Sequence, residues 1–395
     1  MTARTRMEVA EQLGISWFDY QIECFDVWDK LPRGGERLCL YYRTGAGKSI
    51  TALGCLALSG YTSAVVVAPP STHNQWSSLG EQLDISVEVM SHSKFRSSFK
   101  AKRDVPIIAD EFHLFGGTKG KGWTKLDRIA RGLKAPVILC SATPNYNDAE
   151  RCFCVQHILD PAAVKGGLIE FIYQHCETRQ NPFGMMPIVE GFRLFDGAEG
   201  YLSSLPNVVY VPDETEIQII DIVVRSSVPD EYETYGLDRR RERVVASDME
   251  KRFYRQMQNL IDDDGFIREH VYDEIGYLVG QASTPVLIYC NSETVAQAMA
   301  RSCKANKARY DLVTGKMSTK RKHEIIDKFR RQQLDVLIGT ATLATGTDGL
   351  DKVCDLMVIV HDTDDASLRR QLIGRILPRG ADSDTSLKQI FRLVF

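Results

Sequence analysis

Two glycines, a lysine and a serine follow one another within residues 43–49, directly after the apolar run at 38–42. A strand that ends in a glycine-rich turn and opens into a helix points several backbone N–H groups at one place, which becomes an anion site. There Lys48 would reach the phosphates of a nucleotide, and Ser49 would place its hydroxyl on Mg²⁺. The complete phosphate-loop pattern begins with a glycine where this chain has Tyr42, so the match is to the shorter form of the loop. We predict ATP and Mg²⁺ as cofactors, bound by Thr44, Gly45, Ala46, Gly47, Lys48 and Ser49.

Two adjacent carboxylates, Asp110 and Glu111, end the apolar segment 105–110. An aspartate at the end of a buried strand can hold Mg²⁺ through its water shell, and the neighbouring glutamate can orient and deprotonate an attacking water. Adjacent carboxylates on a surface loop are usually only solvated, but the strand before this pair and the phosphate loop favour catalysis. We therefore predict that Asp110 holds the metal together with Ser49, and that Glu111 is the catalytic base.

The elements that must position these groups are buried strands alternating with helices. Apolar segments typical of parallel strands covered on both faces occur at 38–42, 64–70, 105–110 and 137–144. The alternation resumes at 286–289 and continues through 335–339 to a closing strand at 390–395. Such alternation predicts an α/β fold with parallel sheets. Ser141 and Thr143, within the segment 137–144, are candidates for transmitting the state of the nucleotide to the rest of the site.

The bulk composition limits the class of protein. A length of 395 residues suits two domains, and 44% hydrophobic with 26% charged residues indicates a soluble globular chain. The net charge of −3 means that a nucleic-acid surface must be a local basic patch. Ten scattered cysteines without paired Cys-x-x-Cys spacing argue against a zinc site and a disulfide framework. With neither a signal peptide nor a membrane-spanning run, we expect an intracellular protein, cytoplasmic or nucleoid-associated, without a membrane partner.

These blocks together resemble the helicases and translocases of superfamily two, and they occur in the same order along the chain. The order runs from Gln21 through the phosphate loop, the strand end at 68–76, the carboxylate pair and the segment 141–144. The resemblance continues through the blocks at 286–291, 314–315, 339–350 and 371–375. Within the superfamily the closer likeness is to the SWI/SNF-type duplex translocases, and residues 141–161 and 171–206 carry it.

The resemblance implies two tandem RecA-like domains, at residues 1–161 and 214–395, with a connector at 162–213 that packs on the first domain. It also implies that ATP binds between the domains and that nucleic acid lies across both. Gln21 would read the adenine edge, since its amide is donor and acceptor together. Gly346 and Asp348 would contact the nucleotide from the second domain.

Arg375 is the residue that the resemblance assigns to phosphoryl transfer in the second domain. A guanidinium beside the γ-phosphate stabilises the charge of the transition state. The family pattern has a second arginine three residues later, where this chain has Pro378, and Arg379 comes one position further on. Either a local kink brings Arg379 to the phosphate as a second catalytic arginine, or Arg375 acts alone.

Candidate contacts to nucleic acid lie in a glycine-rich basic loop and at the ends of the predicted strands. Glycines let a backbone approach phosphates closely, and lysines add charge, so such contacts would not depend on base sequence. For the lysines, simple solubility is the alternative. The predicted contacts are Ser71, Thr72, Gln75, His92, Lys119, Lys121, Asn291, Ser292 and Thr340.

The function that follows is an ATP-driven motor on DNA, a nucleic-acid-dependent ATPase. The expected partner is duplex DNA that is tracked without strand separation, with single-stranded DNA and unwinding as the alternative. An RNA-dependent ATPase is a further alternative, because motors that read the backbone differ mainly in a few contacts to the sugar. A nucleotide-gated clamp with little turnover is favoured only if the shifted Arg379 has disabled the arginine finger.

Overall fold

The computed structural model describes residues 4–43, 45–142, 149–181, 184, 186–195, 197–212, 218–223, 284–344, 349–360, 363, 366–377 and 388–394. The chain divides into two compact units, Met1–Glu214 and Thr215–Phe395. The described part of the segment 162–213, predicted to be a connector, therefore lies in the first unit.

The first unit is built on a central parallel sheet. Its strands are β1 (Arg37–Tyr42), β2 (Ser63–Val67), β3 (Ser86–Met90), β4 (Ile107–Asp110), β5 (Val137–Ser141), β6 (Cys176–Arg179), β7 (Ile188–Phe192) and β8 (Val208–Val211). Six of them form the sheet in the order β3-β2-β4-β5-β1-β8, and every pairing between them is parallel. Strands β6 and β7 form a separate antiparallel pair.

Helices cover both faces of this sheet. They are α1 (Arg6–Leu13), α2 (Asp19–Lys30), α3 (Lys48–Leu58), α4 (His73–Gln82), α5 (His92–Ser98), α6 (Lys121–Gly132), α7 (Ala149–Leu159), α8 (Gly167–His175) and α9 (Gly197–Ser203). Successive residues of a strand point to opposite faces. In β1, Leu40 accordingly packs into the core beneath α2 and α3, whereas Tyr41 packs into the core beneath α6 and α7. Burial on both faces explains why the strands read as continuous apolar runs.

The segment 162–212 contains more regular structure than its sequence pattern indicated. It includes α8, the β6–β7 pair, α9 and the sheet strand β8. Strand β8 lies beside β1, and its Val211 carbonyl accepts a hydrogen bond of 3.2 Å from the N–H of Arg43 at the start of the phosphate loop. The segment mixes glycine, proline and short apolar pieces without a clear period, which is why the sequence did not reveal this strand.

The second unit repeats the architecture. Its strands are β9 (Gln218–Val223), β10 (Val286–Tyr289), β11 (Tyr310–Val313), β12 (Val336–Gly339), β13 (Leu356–Ile359) and β14 (Gln389–Val394), in the order β11-β12-β10-β13-β14-β9. All their pairings are parallel. The described helices are α10 (Glu293–Ala305), α11 (Thr319–Arg330) and α12 (Ala366–Ile373). The predicted α/β fold with parallel sheets is therefore confirmed.

All ten cysteines are buried, and none forms a disulfide. Among the helices in the described ranges, none combines the length and the apolar character needed to cross a bilayer.

Gly80 marks the place where α4 packs most closely on the chain leading into β3. A Cβ atom built on Gly80 lies 2.4 Å from Val87 Cγ2 and 2.8 Å from the carbonyl oxygen of Ile85. Because that oxygen belongs to the backbone, Gly80→Ala forces the helix to shift, and overpacking of this kind costs about 1–3 kcal/mol. We expect the free energy of unfolding, measured by urea titration, to fall by about that amount.

Gly132→Ala is the matched control, because Gly132 ends α6 and a Cβ atom there meets nothing within 4 Å. That substitution should change the free energy of unfolding by about 0.5 kcal/mol or less. Equal effects of the two substitutions would contradict the close approach of α4.

Candidate active site and nucleic-acid surface

The phosphate loop leaves the buried strand β1 and ends at the first residue of α3. Gly45 and Gly47 both have positive φ, 84° and 77°, which only glycine adopts without strain, and Gly47 is the N-cap of α3. The Lys48 ammonium donates to the carbonyls of Tyr42 at 3.2 Å and Arg43 at 3.4 Å, so it lies over the loop. The first turn of α3 thus presents its N–H groups and Lys48 together, as an anion site requires. Thr44 lies outside the described residues.

Gln21 supports this loop from behind. Its amide oxygen accepts a hydrogen bond from Phe18 N at 3.1 Å, and its Nε2 donates to Thr51 Oγ1 at 2.9 Å. The side chain is 2% exposed, and a Cβ atom on Gly47 would lie only 3.0 Å from Nε2. Gln21 therefore fastens the start of α2 to α3 against the loop, and its contact with adenine stays a prediction.

Asp110 lies at the carboxyl end of β4 and is almost completely buried, at 6% exposure. Its Oδ2 accepts from the indole N–H of Trp76 at 3.1 Å, and its Oδ1 accepts from the N–H of Glu111 at 3.0 Å. Burial and the neighbouring Glu111 raise the pKa of Asp110 to about 7, while Lys48 and the two hydrogen bonds act in the opposite direction. A carboxylate in this position is stabilised by additional positive charge.

Glu111 has a left-handed backbone, with φ of 47°, which turns the chain sharply after β4. Its Oε2 lies 3.4 Å from Nδ1 of His113, and the same nitrogen lies 3.3 Å from Oγ of Ser141 at the end of β5. The carboxylate predicted to be the base is therefore connected through His113 to the next strand of the sheet. Ser141 is placed where it can transmit a change at Glu111, and Thr143 lies outside the described residues.

The groups at this edge fit a nucleotide with Mg²⁺. Lys48 is close enough to lower the pKa of Asp110, and Ser49 follows Lys48 in the first turn of α3. A divalent cation would offset the cost of burying the Asp110 carboxylate. No group of three or more His, Cys, Asp or Glu side chains could hold a metal among the described residues. Mg²⁺ usually binds proteins through one or two carboxylates and takes its other ligands from phosphate oxygens and water.

The predicted nucleic-acid residues of the first unit occupy different environments. Thr72 donates from Oγ1 to the carbonyl of Pro69 at 3.0 Å, and Gln75 is exposed at the start of α4. Oγ of Ser71 is buried without a hydrogen-bond partner among the described residues. Lys119 and Lys121 are both exposed. Ser71, Thr72 and Gln75 lie after the carboxyl end of β2, the edge at which open α/β sheets bind ligands.

His92 requires a correction. We predicted a contact with nucleic acid, but the ring is only 8% exposed, packs edge-on against Phe115, and lies with Nε2 3.0 Å from the carbonyl oxygen of Asp110. Since a carbonyl only accepts, Nε2 carries the proton. Burial lowers the pKa of His92 to about 4. The imidazole is therefore neutral at physiological pH and supports the end of β4 from inside the unit.

The loop that carries Lys119 and Lys121 is fixed to α7. The carboxylate of Glu150 accepts hydrogen bonds from both the N–H and the hydroxyl of Thr118, and the N–H of Gly120 donates to the carbonyl of Gly117 at 2.7 Å. A Cβ atom on Gly117 would lie 2.5 Å from the Glu150 carboxyl carbon, so a larger residue there would displace this carboxylate. The two lysines are thus displayed from an ordered loop.

In the second unit, the predicted contacts again follow carboxyl ends of strands. Asn291 is exposed after β10, and Ser292 is the N-cap of α10, where its hydroxyl accepts from the N–H of Val295 at 3.3 Å. Thr340 follows β12, the neighbour of β10 in the sheet. These residues therefore share one edge of the sheet. Gly346 and Asp348 lie outside the described residues.

Arg375 follows α12 and is 8% exposed. Its guanidinium donates to the carbonyl of Ala344 from Nε at 3.0 Å and also from Nη2. Ala344 ends the short helix Ala341–Ala344, just before the residues predicted to contact the nucleotide. The guanidinium is thus bonded to the last residue of that short helix, and its role as a finger stays a prediction. Arg379 lies outside the described residues.

Glu111→Gln keeps the shape of the side chain and removes the base, so we expect ATP turnover to fall by about 10²-fold or more while ATP affinity stays nearly unchanged. Steady-state hydrolysis and equilibrium binding of a fluorescent ATP analogue measure the two quantities. Glu88→Gln, on the exposed side of β3, makes the same chemical change away from the site and should behave as the wild type. Wild-type turnover in Glu111→Gln would refute the catalytic assignment.

A comparison with known protein families matches one part of the chain. Residues 269–379 match the family described as the helicase conserved C-terminal domain. No curated protein matches the sequence. Among solved structures, S. cerevisiae Dbp5 bound to RNA and ADP BeF3 aligns over 98% of this chain and 86% of that chain, with 13% identity and a TM-score of 0.59. A Dbp5 variant bound to Gle1 and IP6 aligns over 98% and 85%, with 12% identity and a TM-score of 0.55.

The structural likeness confirms the predicted fold, two tandem RecA-like domains with parallel sheets flanked by helices. The family match covers residues 269–379, within the second unit, and identifies a helicase conserved C-terminal domain there.

Proposed function

We propose that the chain is an ATP-driven motor that moves along nucleic acid. The observation that carries this proposal is the convergence of Lys48 and Asp110 at one edge of the first sheet, with the helicase C-terminal match in the second unit. A buried carboxylate beside a phosphate loop suits nucleotide hydrolysis. The helicase family match favours nucleic acid as the partner along which the motor moves.

In this function the residues of the first unit have distinct tasks. Lys48 and the N–H groups of the loop bind the phosphates, while Ser49 and Asp110 hold Mg²⁺. The ion, when bound, neutralises charge on the phosphate oxygens. Glu111 orients a water molecule and accepts its proton, and Nδ1 of His113 lies 3.4 Å from Oε2 of Glu111. Each of these groups is positioned by the end of a buried strand or the start of a helix, so little reorganisation is needed.

For the substrate we propose duplex DNA, tracked without strand separation, on the strength of the SWI/SNF-type likeness of residues 141–161 and 171–206. Contacts from Ser71, Thr72 and Gln75 in the first unit, and from Asn291 in the second, would reach the backbone and not the bases. RNA is the second candidate, and the observation that favours it is the fold shared with Dbp5, which was solved bound to RNA.

The rate of ATP hydrolysis measured in parallel with no nucleic acid, single-stranded DNA, duplex DNA and RNA tests this function. Stimulation by duplex DNA above all others supports tracking, and stimulation by RNA selects the second candidate. Hydrolysis that responds to none of them, in a chain that binds ATP, would refute the motor.

Lys119→Ala with Lys121→Ala should flatten the slope of log affinity against log salt concentration by up to about two, because each phosphate contact releases about one counterion. Fluorescence anisotropy with the stimulating nucleic acid at several salt concentrations measures the slope. Lys100→Ala with Lys102→Ala removes the same charge from exposed residues before the opposite end of β4 and should leave the slope unchanged. Equal slopes in both double variants would contradict a phosphate contact by Lys119 and Lys121 and would favour the alternative that they only increase solubility.

Arg375→Ala should reduce nucleic-acid-stimulated hydrolysis by on the order of 10³-fold, as loss of an arginine finger does, while ATP still binds the first unit. Because the side chain also bonds Ala344, the unfolding temperature is measured alongside turnover. Arg309→Ala is the control, since Arg309 forms an exposed ion pair with Asp335 before the amino end of β11. Normal stimulated turnover in folded Arg375→Ala would exclude the finger.

A further inference from the structure

We propose that Trp76 is a positioning residue that couples nucleic-acid contact to the nucleotide site, through the hydrogen bond from its indole N–H to the carboxylate of Asp110. The inference rests on the proposed function and deepens it, because it names the side chain by which the segment 70–76 acts on the residue that holds Mg²⁺.

The bond joins two groups that are both removed from solvent. Trp76 is completely buried, and its Nε1 lies 3.1 Å from Oδ2 of Asp110. An indole has a single N–H donor, so a buried tryptophan has no second way to satisfy it. In a site of low dielectric constant, a hydrogen bond to a carboxylate is stronger than one between neutral groups. A shift of Trp76 therefore changes the position or the surroundings of the Asp110 carboxylate directly.

Trp76 belongs to a short segment that is joined by hydrogen bonds to the residues after β2. It lies in the first turn of α4, which follows the 3₁₀ turn Pro70–Thr72 without a break. Thr72 Oγ1 donates to the Pro69 carbonyl at 3.0 Å, and Nε2 of His73 lies 3.1 Å from the Ala68 carbonyl oxygen. A displacement of the turn Pro70–Thr72 would therefore also displace Trp76.

The same segment also carries Ser71 and Gln75, two of the residues predicted to contact nucleic acid. Gln75 is exposed, one residue before Trp76. The Ser71 hydroxyl is buried and has no hydrogen-bond partner within the described ranges. An unsatisfied buried hydroxyl costs free energy, so a shift of the segment that lets Ser71 bond a phosphate oxygen is favoured. Nucleic acid therefore has differential affinity for the shifted segment, which coupling requires.

A displacement of Trp76 would change the Asp110 carboxylate and not the main chain of β4, because His92 holds that main chain. Its Nε2 donates to the main-chain carbonyl of Asp110 at 3.0 Å and so holds the end of β4. Trp76 bonds the side chain of the same residue. With the backbone held, movement of α4 acts on the orientation of the carboxylate alone.

The experiment compares Trp76→Phe with Trp28→Phe in the full chain. Trp28 is also completely buried, and its indole N–H donates to Ser59 Oγ at 2.8 Å, so the control loses the same kind of bond away from Asp110. The readout is the equilibrium affinity for fluorescent ADP at increasing Mg²⁺, measured without nucleic acid and with saturating single-stranded DNA, duplex DNA or RNA. The ratio of the affinities with and without nucleic acid is the coupling factor, and ATP turnover is measured in parallel.

In Trp76→Phe we expect the Mg²⁺ concentration for half-maximal ADP binding to rise about tenfold, as loss of a hydrogen bond to a metal ligand does. The coupling factor should fall from its wild-type value, typically about 5–150-fold, towards one. Trp28→Phe should keep both values. An unchanged coupling factor in Trp76→Phe, or equal losses in both variants, would overturn the proposal.

Two further outcomes are separable. If Trp76→Phe fails to fold, benzothienylalanine at position 76 keeps the shape of the indole and replaces only its N–H. The Mg²⁺ concentration for half-maximal ADP binding and the coupling factor of that variant then test the proposal. If the wild type binds ADP but neither its affinity nor its turnover responds to any nucleic acid, the proposed function itself fails. A wild type that responds, with a Trp76→Phe variant that responds equally, refutes the coupling role alone.

Discussion

A carboxylate that has been taken out of water is the constraint on which the first unit depends. Asp110 is almost fully buried at the end of β4, where burial and Glu111 both raise its pKa, to about 7. Three contributions oppose that cost, namely the charge of Lys48, the indole N–H of Trp76 and the N–H of Glu111. They come from the start of α3, from α4 and from the turn after β4. The loop, the helix and the strand end are therefore needed together, because each stabilises the same charge.

The parallel sheet is what makes this meeting possible. Lys48, Asp110 and Ser141 are far apart in the chain. Lys48 follows β1, whereas Asp110 ends β4 and Ser141 ends β5, and these strands lie side by side in the order β4-β5-β1. Since all three strands run in the same direction, their carboxyl ends share one edge. Helices on both faces bury the strands and keep the edge rigid. The contact of His113 with Ser141 at 3.3 Å then joins two neighbouring strand ends at this edge.

The features that the sequence predicted correctly are those that depend on burial and on a local residue pattern. Apolar runs located the buried strands, and the glycines with Lys48 located the loop, because both signals are confined to a few consecutive residues. The sequence did not reveal β8, because the segment around it mixes glycine, proline and short apolar pieces without a clear period. It also misassigned His92, because a polar residue after a strand can face outward or turn back to a main-chain carbonyl. The partner of Trp76 lies 34 residues away, and no local pattern encodes a bond of that kind.

Arg375, which is predicted to be the arginine finger, is hydrogen-bonded within the second unit. Its guanidinium bonds the Ala344 carbonyl, a neutral acceptor, and is 8% exposed. Hydrogen bonds between a guanidinium and a phosphate are charge-assisted on both sides and are stronger than bonds to a neutral carbonyl. If Arg375 acts as the predicted finger, exchange of the neutral Ala344 carbonyl for a phosphate oxygen would therefore be favourable. Because Ala344 precedes Gly346 and Asp348 in the chain, and both are predicted to contact the nucleotide, Arg375 is bonded to the residue that ends the short helix before them.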